Sequence, residues 1–168
     1  MKSVSSAFLL GLLLSGCAGY HLGPAKPSYL RDVHSIAVPI FKNATLVPQI
    51  ETLVSDTVIK QFQQDGTFRI ANEGQADAVL RGDVISASRA PARSLRGNVL
   101  ATTEFNLVLR VRYSLYGRDG KPLAGPTEAT GTTSFFVGDD VIADERQAIP
   151  LAAQELANRL VSQLSEGW

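Results

Sequence analysis

The sequence predicts an α+β fold, a two-layer sandwich in which two helices pack on a mostly antiparallel sheet of four to five strands. Three observations predict it. Long segments of alternating apolar and polar residues are joined by short turns, which favours antiparallel hairpins. Two other segments carry apolar residues at helical spacing along one face. The predicted elements follow one another in the order β-α-β-β-β-β-α.

The first strand and the first helix lie near the start of the predicted domain. Residues 33–41 are rich in β-branched and aromatic side chains, which is typical of a strand, and Pro39 within them indicates an edge strand or a bulge. A helix is predicted over residues 48–65, because Pro48 near its start and Gly66 after its end are common helix boundaries. The apolar face of this helix consists of Ile50, Leu53, Val54, Val58 and Phe62.

Four more strands are predicted in the middle of the chain, over residues 67–71, 77–88, 99–116 and 127–137. The third of these is the clearest, because apolar residues from Phe105 to Leu115 alternate with more polar ones, as in a strand with one buried and one wetter face. A turn is predicted over residues 118–122. Residues 89–98 are polar and rich in arginine, and we predict that they connect two strands.

The last predicted element is a helix near the end of the chain. Pro150 marks either its first turn or a kink that joins it to a shorter helical piece beginning at Asp140. Asp139 and Asp140 are predicted to cap that piece, since a helix N-terminus favours negative charge. A clean apolar stripe at helical spacing is formed by Ile149, Ala152, Ala153, Leu156, Leu160 and Leu164.

Length, charge and composition exclude several classes of function. The 168 residues match a single domain, and Lys plus Arg equals Asp plus Glu at 16 each. Zero net charge argues against a nucleic-acid partner, which needs a basic domain. Two His and one Cys leave few ligands for a soft metal, so we expect no metal and no cofactor. The sequence contains no hydrolase motif and no phosphate loop, and we therefore expect no catalytic residues and no enzyme activity.

The N-terminus predicts export and lipid attachment. Residues 1–16 combine one positive charge, a short apolar run and small residues, as in a secretory signal peptide. The four residues ending at Cys17 (LSGC) resemble the lipobox of bacterial lipoproteins, in which the chain is cut before a cysteine that then carries diacylglycerol and an amide-linked acyl chain such as palmitate. In many such lipoproteins, Asp directly after the cysteine favours retention in the inner membrane. Ala18 stands at this position here, which is typical of lipoproteins sorted to the outer membrane. The alternative is a soluble exported protein with Cys17 as a free thiol.

The mature chain is predicted to have two parts. Residues 17–30 contain several Gly and Pro residues, which is typical of an extended tether. Residues 31–168 form a single α+β domain without internal repeats. Several acyl chains on Cys17 would anchor the tether stably, whereas one chain alone would bind a membrane only marginally.

The zero net charge hides an uneven distribution. Residues 81–118 contain seven Arg and two acidic residues, whereas residues 139–168 contain six acidic residues and two Arg. Guanidinium groups bind phosphate and carboxylate in a bidentate manner, so the Arg-rich hairpin is a candidate site for a lipid phosphate, a sugar acid or an acidic partner. The alternative is a solvated sheet face whose arginines pair with acids of the last helix or of neighbouring strands. The candidate residues are Arg89, Arg93, Arg96, Arg110 and Arg112.

Several segments, in this order, carry a family resemblance: residues 17–22 (CAGYHL), 35–45 (SIAVPIFKNAT) and 76–84 (ADAVLRGDV), and Leu156 with Ala157 in the last helix. They are similar to the LptE family of lipopolysaccharide (LPS) assembly lipoproteins. Members commonly begin with Cys, Gly, an aromatic residue, His and Leu, whereas Ala18 is inserted here. The resemblance implies two helices on a mostly antiparallel sheet, in agreement with the element order.

The same resemblance implies a function and partners. Such proteins lie partly inside a large outer-membrane β-barrel (LptD), bind LPS and help the barrel to assemble and to deliver LPS to the cell surface. This chain would accordingly be anchored by its lipid in the inner leaflet of the outer membrane, on the periplasmic side. The Arg-rich hairpin would then be the place for lipid A phosphates or inner-core acids.

A second class of function stays open. Residues 36–43 (IAVPIFKN) also resemble the first strand of cell-wall-synthase-activating lipoproteins and of curli-secretion lipoproteins. A protein of that class would be a periplasmic regulatory or secretion lipoprotein. The start at Tyr20, His21 and Leu22 and the Arg-rich hairpin favour the LPS function.

Overall fold

The structure, a computed structural model, describes residues 26–95, 98–136, 138 and 140–167, and the predicted signal peptide and Cys17 lie outside them. A 3-10 turn at Ser28–Leu30 precedes helices α1 (Ile50–Asp65) and α2 (Val141–Ser165). The strands are β1 (Ser35–Ala37), β2 (Lys42–Asn43), β3 (Arg69–Ile70), β4 (Ala78–Leu95), β5 (Asn98–Gly117) and β6 (Pro122–Phe136).

The strands form one mixed sheet. Over the described ranges the strand order is β3-β1-β4-β5-β6. Strand β2 pairs with β4 at Asp83 and Val84, beyond the residues of β4 that pair with β1. The three long strands are antiparallel, whereas the three short strands pair in parallel. The hydrophobic core joins both helices to one face of the sheet, so the predicted two-layer α+β sandwich is confirmed. The described sheet has six strands rather than four to five, because β2 is a two-residue pairing that no apolar pattern marks.

The hairpin of β4 and β5 is longer than predicted. Residues 89–95, which we expected to belong to a polar connection, continue the strand and pair with β5 as far as Leu95 and Asn98. Register shifts around Pro91 and Arg93 interrupt the pairing. The segment therefore shows neither an apolar run nor a clean alternation, and its sequence resembles that of a loop.

The end of this hairpin projects beyond the rest of the sheet. The last pair between β5 and β6 joins Glu104 to Phe136, so residues 98–103 of β5 continue past β6. Six residues of extended strand cover about 20 Å. We call this extension, formed by residues 94–95 and 98–103, the arm.

Helix α1 begins and ends close to its predicted boundaries. Its first residue follows Gln49 at φ 60°, and it ends at Gly66 at φ 76°, whose N–H donates to the carbonyl oxygen of Phe62 (3.0 Å). A glycine adopts this left-handed conformation at little cost, which is why it ends the helix. The hydroxyl of Ser55 accepts a hydrogen bond from the N–H of Phe41 (2.8 Å), and this bond fixes the chain between β1 and β2 against the helix.

Helix α2 is one continuous helix that contains Pro150. Of the two alternatives for Pro150, the one that joins the last helix to the helical piece beginning at Asp140 is therefore correct. Asp140 caps the helix as predicted, because its carboxylate accepts hydrogen bonds from the N–H groups of Ile142 (3.0 Å) and Ala143 (3.1 Å). Asp139 lies outside the described residues.

Helix α2 lies directly on strand β6 at Gly131. A Cβ atom at this position would overlap the carbonyl oxygen of Ala152 and would lie 2.6 Å from the backbone nitrogen of Leu156. On the adjoining turn of α2, the carboxylate of Glu155 accepts a hydrogen bond from the N–H of Thr132 (2.6 Å). Because Gly131 has no side chain, the backbone of α2 lies directly against the backbone of β6.

The start of β4 is joined to β1 through the carboxylate of Asp77. Its Oδ2 accepts hydrogen bonds from the Ser35 hydroxyl (2.8 Å), the Ser35 N–H (3.0 Å) and the His34 N–H (3.1 Å). Nη2 of Arg118 lies 3.3 Å from its Oδ1. The hydrogen bond from the Ser35 side chain, followed by that from the His34 backbone, lowers the pKa of Asp77 below the usual 3.8.

Asp77→Asn is expected to lower the free energy of unfolding by about 1 kcal/mol at neutral pH, because charge-assisted hydrogen bonds become neutral ones at a partly exposed site. A carboxyl group whose pKa is lowered by folding contributes its full stabilisation at pH values above its usual pKa. This contribution is lost as the pH falls through the lowered pKa of the folded state. Urea unfolding at neutral pH and in acid measures it, with the exposed Asp56→Asn of α1 as control. An equal deficit for Asp77→Asn at both pH values would contradict this account.

Candidate functional site

The structure separates the five candidate arginines. Arg110 and Arg112 are exposed and alternate along β5 with residues buried beneath the helices, so they lie on the open face of the sheet. Arg89 is paired in register with a buried leucine of β5 and lies on the helix side. Arg93 is a residue of β4 whose side chain is not among those described, and Arg96 lies outside the described residues.

Arg89 has partners within the fold. Its Nη1 lies 2.5 Å from Oε2 of Glu145 on α2, and its guanidinium carbon lies 5.6 Å from the ring centre of Phe105. The Phe105 ring in turn stacks on that of Phe135, with 5.9 Å between ring centres. Arg89 therefore joins the base of the arm to the first turns of α2, as the alternative of pairing with helix acids anticipated.

The two arginines of the open face differ in their partners. Nε and Nη2 of Arg112 donate to Oε1 of Glu128, at 3.3 and 3.0 Å. Both side chains are about half exposed, and an ion pair in such a position contributes little stability, so Arg112 can exchange this carboxylate for another anion. Arg110 makes no ion pair with any residue that the structure describes.

A groove of about 600 Å³ lies on the open face, beside Arg112. Strands β4 and β5 form its floor, the chain between β1 and β2 forms one wall at Pro39 and Ile40, and Pro126 lies at its margin. Its charged and aromatic lining consists of Lys42, Glu73, Arg81, Asp83, Arg112 and Tyr116.

The wall of the groove is positioned by Phe41, which is buried. A Cβ atom at Gly82 of β4 would lie 2.9 Å from the Phe41 ring, so the absence of a side chain at Gly82 lets the ring lie against the strand. Because Phe41 is held on the core side, the neighbouring Pro39 and Ile40 border the open face, and Ile40 is 67% exposed.

Four residues of the groove were not among the predicted site residues: Lys42, Arg81, Asp83 and Tyr116. The period-2 alternation of β4 and β5 was a usable signal for Arg81 and Asp83, because cross-strand neighbours share a face and Asp83 pairs in register with Arg112. The contribution of Lys42 had no such signal. It depends on the parallel pairing of Lys42 with Asp83 through the two-residue strand β2.

The described chain starts at one end of the sandwich, and the arm projects from the other. Pro27 packs beside Gly167, just after the last turn of α2. At the opposite end of this helix, Glu145 pairs with Arg89 at the base of the arm. The 25 residues of α2 span about 37 Å. Neither described helix is apolar enough over a sufficient length to cross a bilayer.

Comparison with known proteins identifies the family. The lipopolysaccharide-assembly family LptE matches residues 33–164, which is most of the chain. The chain belongs to the LptE family. The resemblance noted in the sequence is thereby confirmed, and LptE proteins are lipoproteins of LPS assembly that are not enzymes.

Solved structures share the fold of this LptE-family chain. The PelC dodecamer from Paraburkholderia phytofirmans is 17% identical with a TM-score of 0.53, and the match covers 84% of this chain and 95% of PelC. A minor lipoprotein from Acinetobacter baumannii is 20% identical with a TM-score of 0.51, covering 80% of this chain and 93% of the other. At such identities the likeness concerns the fold alone. No curated protein matches the chain.

Proposed function

We propose that this LptE-family chain is an outer-membrane lipoprotein that binds LPS and plugs a large β-barrel translocon of the LptD type. It would assist the assembly of that barrel and the delivery of LPS to the cell surface. In this proposal residues 1–16 are removed as a signal peptide, Cys17 carries the lipid, and residues 17–30 connect it to the domain. The end of this predicted tether belongs to the fold, because Leu30 is buried in the hydrophobic core. The domain over residues 31–168 carries out recognition without a catalytic step or a cofactor.

The observation that carries this proposal is that the first described residues and the arm lie at opposite ends of the domain. Pro27 lies beside the last turn of α2, whereas the arm lies beyond the first turn of that helix. The helix alone, at about 37 Å, exceeds the roughly 30 Å of a bilayer's hydrocarbon core. A domain anchored in the inner leaflet and enclosed in a barrel would therefore reach the outer leaflet with its arm.

The composition of the open sheet face also supports enclosure in a barrel. The interiors of wide outer-membrane barrels are polar. Arg110, Arg112, Glu128 and Thr130 occupy paired positions on that face, and each of these polar side chains lies on the side away from the helices. Such a face can form hydrogen bonds and ion pairs with a polar barrel wall, while the apolar core stays beneath the helices.

Affinity purification of the tagged full-length chain from outer membranes in mild detergent tests the proposal. We expect one large β-barrel per chain, with LPS in the same eluate, because the domain would be enclosed by that barrel. The matched control is Cys17→Ser, which should lose acylation and leave the membrane fraction. Recovery without a barrel would refute the plug function, and an acylated Cys17→Ser protein would refute the assignment of the lipid to Cys17.

The second candidate function is that of a periplasmic regulatory or secretion lipoprotein, of the cell-wall synthase activator or curli-secretion type. Its specific support is the fold likeness to PelC, whose structure is a dodecamer. The same purification distinguishes the two functions. A homo-oligomeric ring, or a murein synthase in place of the barrel, would favour this second candidate.

A further inference from the structure

The groove on the open face contains charged side chains of both signs that the fold leaves unpaired. Lys42, Glu73, Arg81 and Asp83 line it, and none of them forms an ion pair with another residue in the described ranges. Among the arginines elsewhere in the fold, Arg118 has a carboxylate partner, whereas Arg110 has none in the described ranges. The groove therefore offers free donors and free acceptors side by side.

The charged groups are arranged around an aromatic ring. The guanidinium carbon of Arg81 lies 5.8 Å from the ring centre of Tyr116, within the range of a cation–π contact. Asp83 is in register with Lys42 on one side and with Arg112 on the other. On the floor of the groove, Asp83 is thus flanked by Lys42 and Arg112. The pair of Arg81 and Tyr116 lies next to them.

This combination discriminates between classes of ligand. An acyl chain needs mainly apolar walls, and a nucleic acid needs a clear excess of positive charge, whereas this lining mixes cations, carboxylates and a ring. Hydroxyl groups can donate to the carboxylates of Asp83 and Glu73, and an anionic group can accept from Arg81 and Lys42. The apolar face of a ring-shaped ligand can pack on Tyr116.

We propose that this groove binds an acidic saccharide, that is, a sugar chain bearing phosphate or carboxylate groups. Its volume, about 600 Å³, lies within the roughly 300–1,000 Å³ of small-molecule sites. This inference deepens the proposed function and rests on it for the source of the saccharide, the sugar part of LPS. The site is distinct from the arm, because it lies at the end of the open face near β1 and β2.

Calorimetric titration of the full-length protein in mild detergent tests the site. The probes are intact LPS, its deacylated phosphorylated oligosaccharide, the same oligosaccharide after removal of phosphate, and an acidic glycan fragment from peptidoglycan. We expect Arg81→Ala to weaken binding of the phosphorylated oligosaccharide about tenfold, and Arg81→Lys, which keeps the charge without the planar group, to weaken it less. Arg69→Ala, which removes an exposed arginine of β3 outside the groove, is the control.

Each outcome decides one of the two proposals. Unchanged binding by Arg81→Ala, or an equal loss in Arg69→Ala, would overturn the groove as a specific site. Binding of intact LPS without binding of its oligosaccharide would overturn the groove and leave the LPS function in place. Binding of the peptidoglycan fragment alone would retain the groove and count against the LPS function.

Discussion

Gly131→Ala is expected to lower the free energy of unfolding by about 3 kcal/mol. The added Cβ atom would overlap the carbonyl oxygen of Ala152 and lie 2.6 Å from the backbone nitrogen of Leu156. These are backbone atoms of α2, which cannot rotate out of the way as the end of a side chain can. Helix α2 would have to move away from the sheet, and the buried Ala153 and Leu156 would lose packing contacts with the sheet.

Urea unfolding followed by circular dichroism measures this effect. The matched control is Gly74→Ala, since a Cβ atom at Gly74 meets nothing within 4 Å. We expect the midpoint of the control to stay within the error of the wild type. Equal midpoints for Gly131→Ala and the wild type would mean that α2 is not seated on β6 as described.

Reversing both open-face arginines, Arg110→Glu together with Arg112→Glu, is expected to weaken LPS binding about 30-fold. Each arginine lies on an exposed surface, where losing a charge-assisted contact is worth about 1 kcal/mol, and 1.4 kcal/mol corresponds to a factor of ten. Binding of intact LPS to the purified chain measures it. The loss should shrink at high salt, because screening weakens interactions between exposed charges.

The control for this double variant is Arg31→Glu together with Arg69→Glu. It changes the net charge equally, and both arginines are exposed and lie outside strands β4 and β5. We expect the control to bind LPS nearly as the wild type does. If both double variants lose affinity to the same extent, net charge rather than the open face determines binding.

The elements with long, regular patterns were predictable from the sequence. Helix α1 lies at 50–65 against a predicted 48–65, because five apolar residues at helical spacing and the following Gly66 determine it locally. Strand β5 was equally clear, since its alternation continues from Phe105 to Leu115. Burial of one face imposes these patterns, so they can be recognised without knowledge of the neighbouring elements.

The arm and the groove were not predictable in the same way. Register shifts interrupt the pairing of the arm, so its sequence carries no regular period that would mark it as a strand. The groove depends on strands of two or three residues and on the packing of Phe41 against Gly82. Only tertiary contacts bring these elements together, so no local pattern indicates them. Similarly, the partner of Arg89 is Glu145, 56 residues farther along the chain, and no local pattern indicates that pair.

The contact between Glu155 and Thr132 bears on how one copy of the chain behaves towards another. β6 is the last strand of the sheet, and an outward-facing N–H on such a strand is a template for strand addition and aggregation. The hydrogen bond from this N–H, and then that from Arg159, hold the pKa of Glu155 below its usual value, so the carboxylate stays ionised. A strand from another copy would have to displace a charged acceptor to pair there. This contact therefore disfavours strand addition at Thr132.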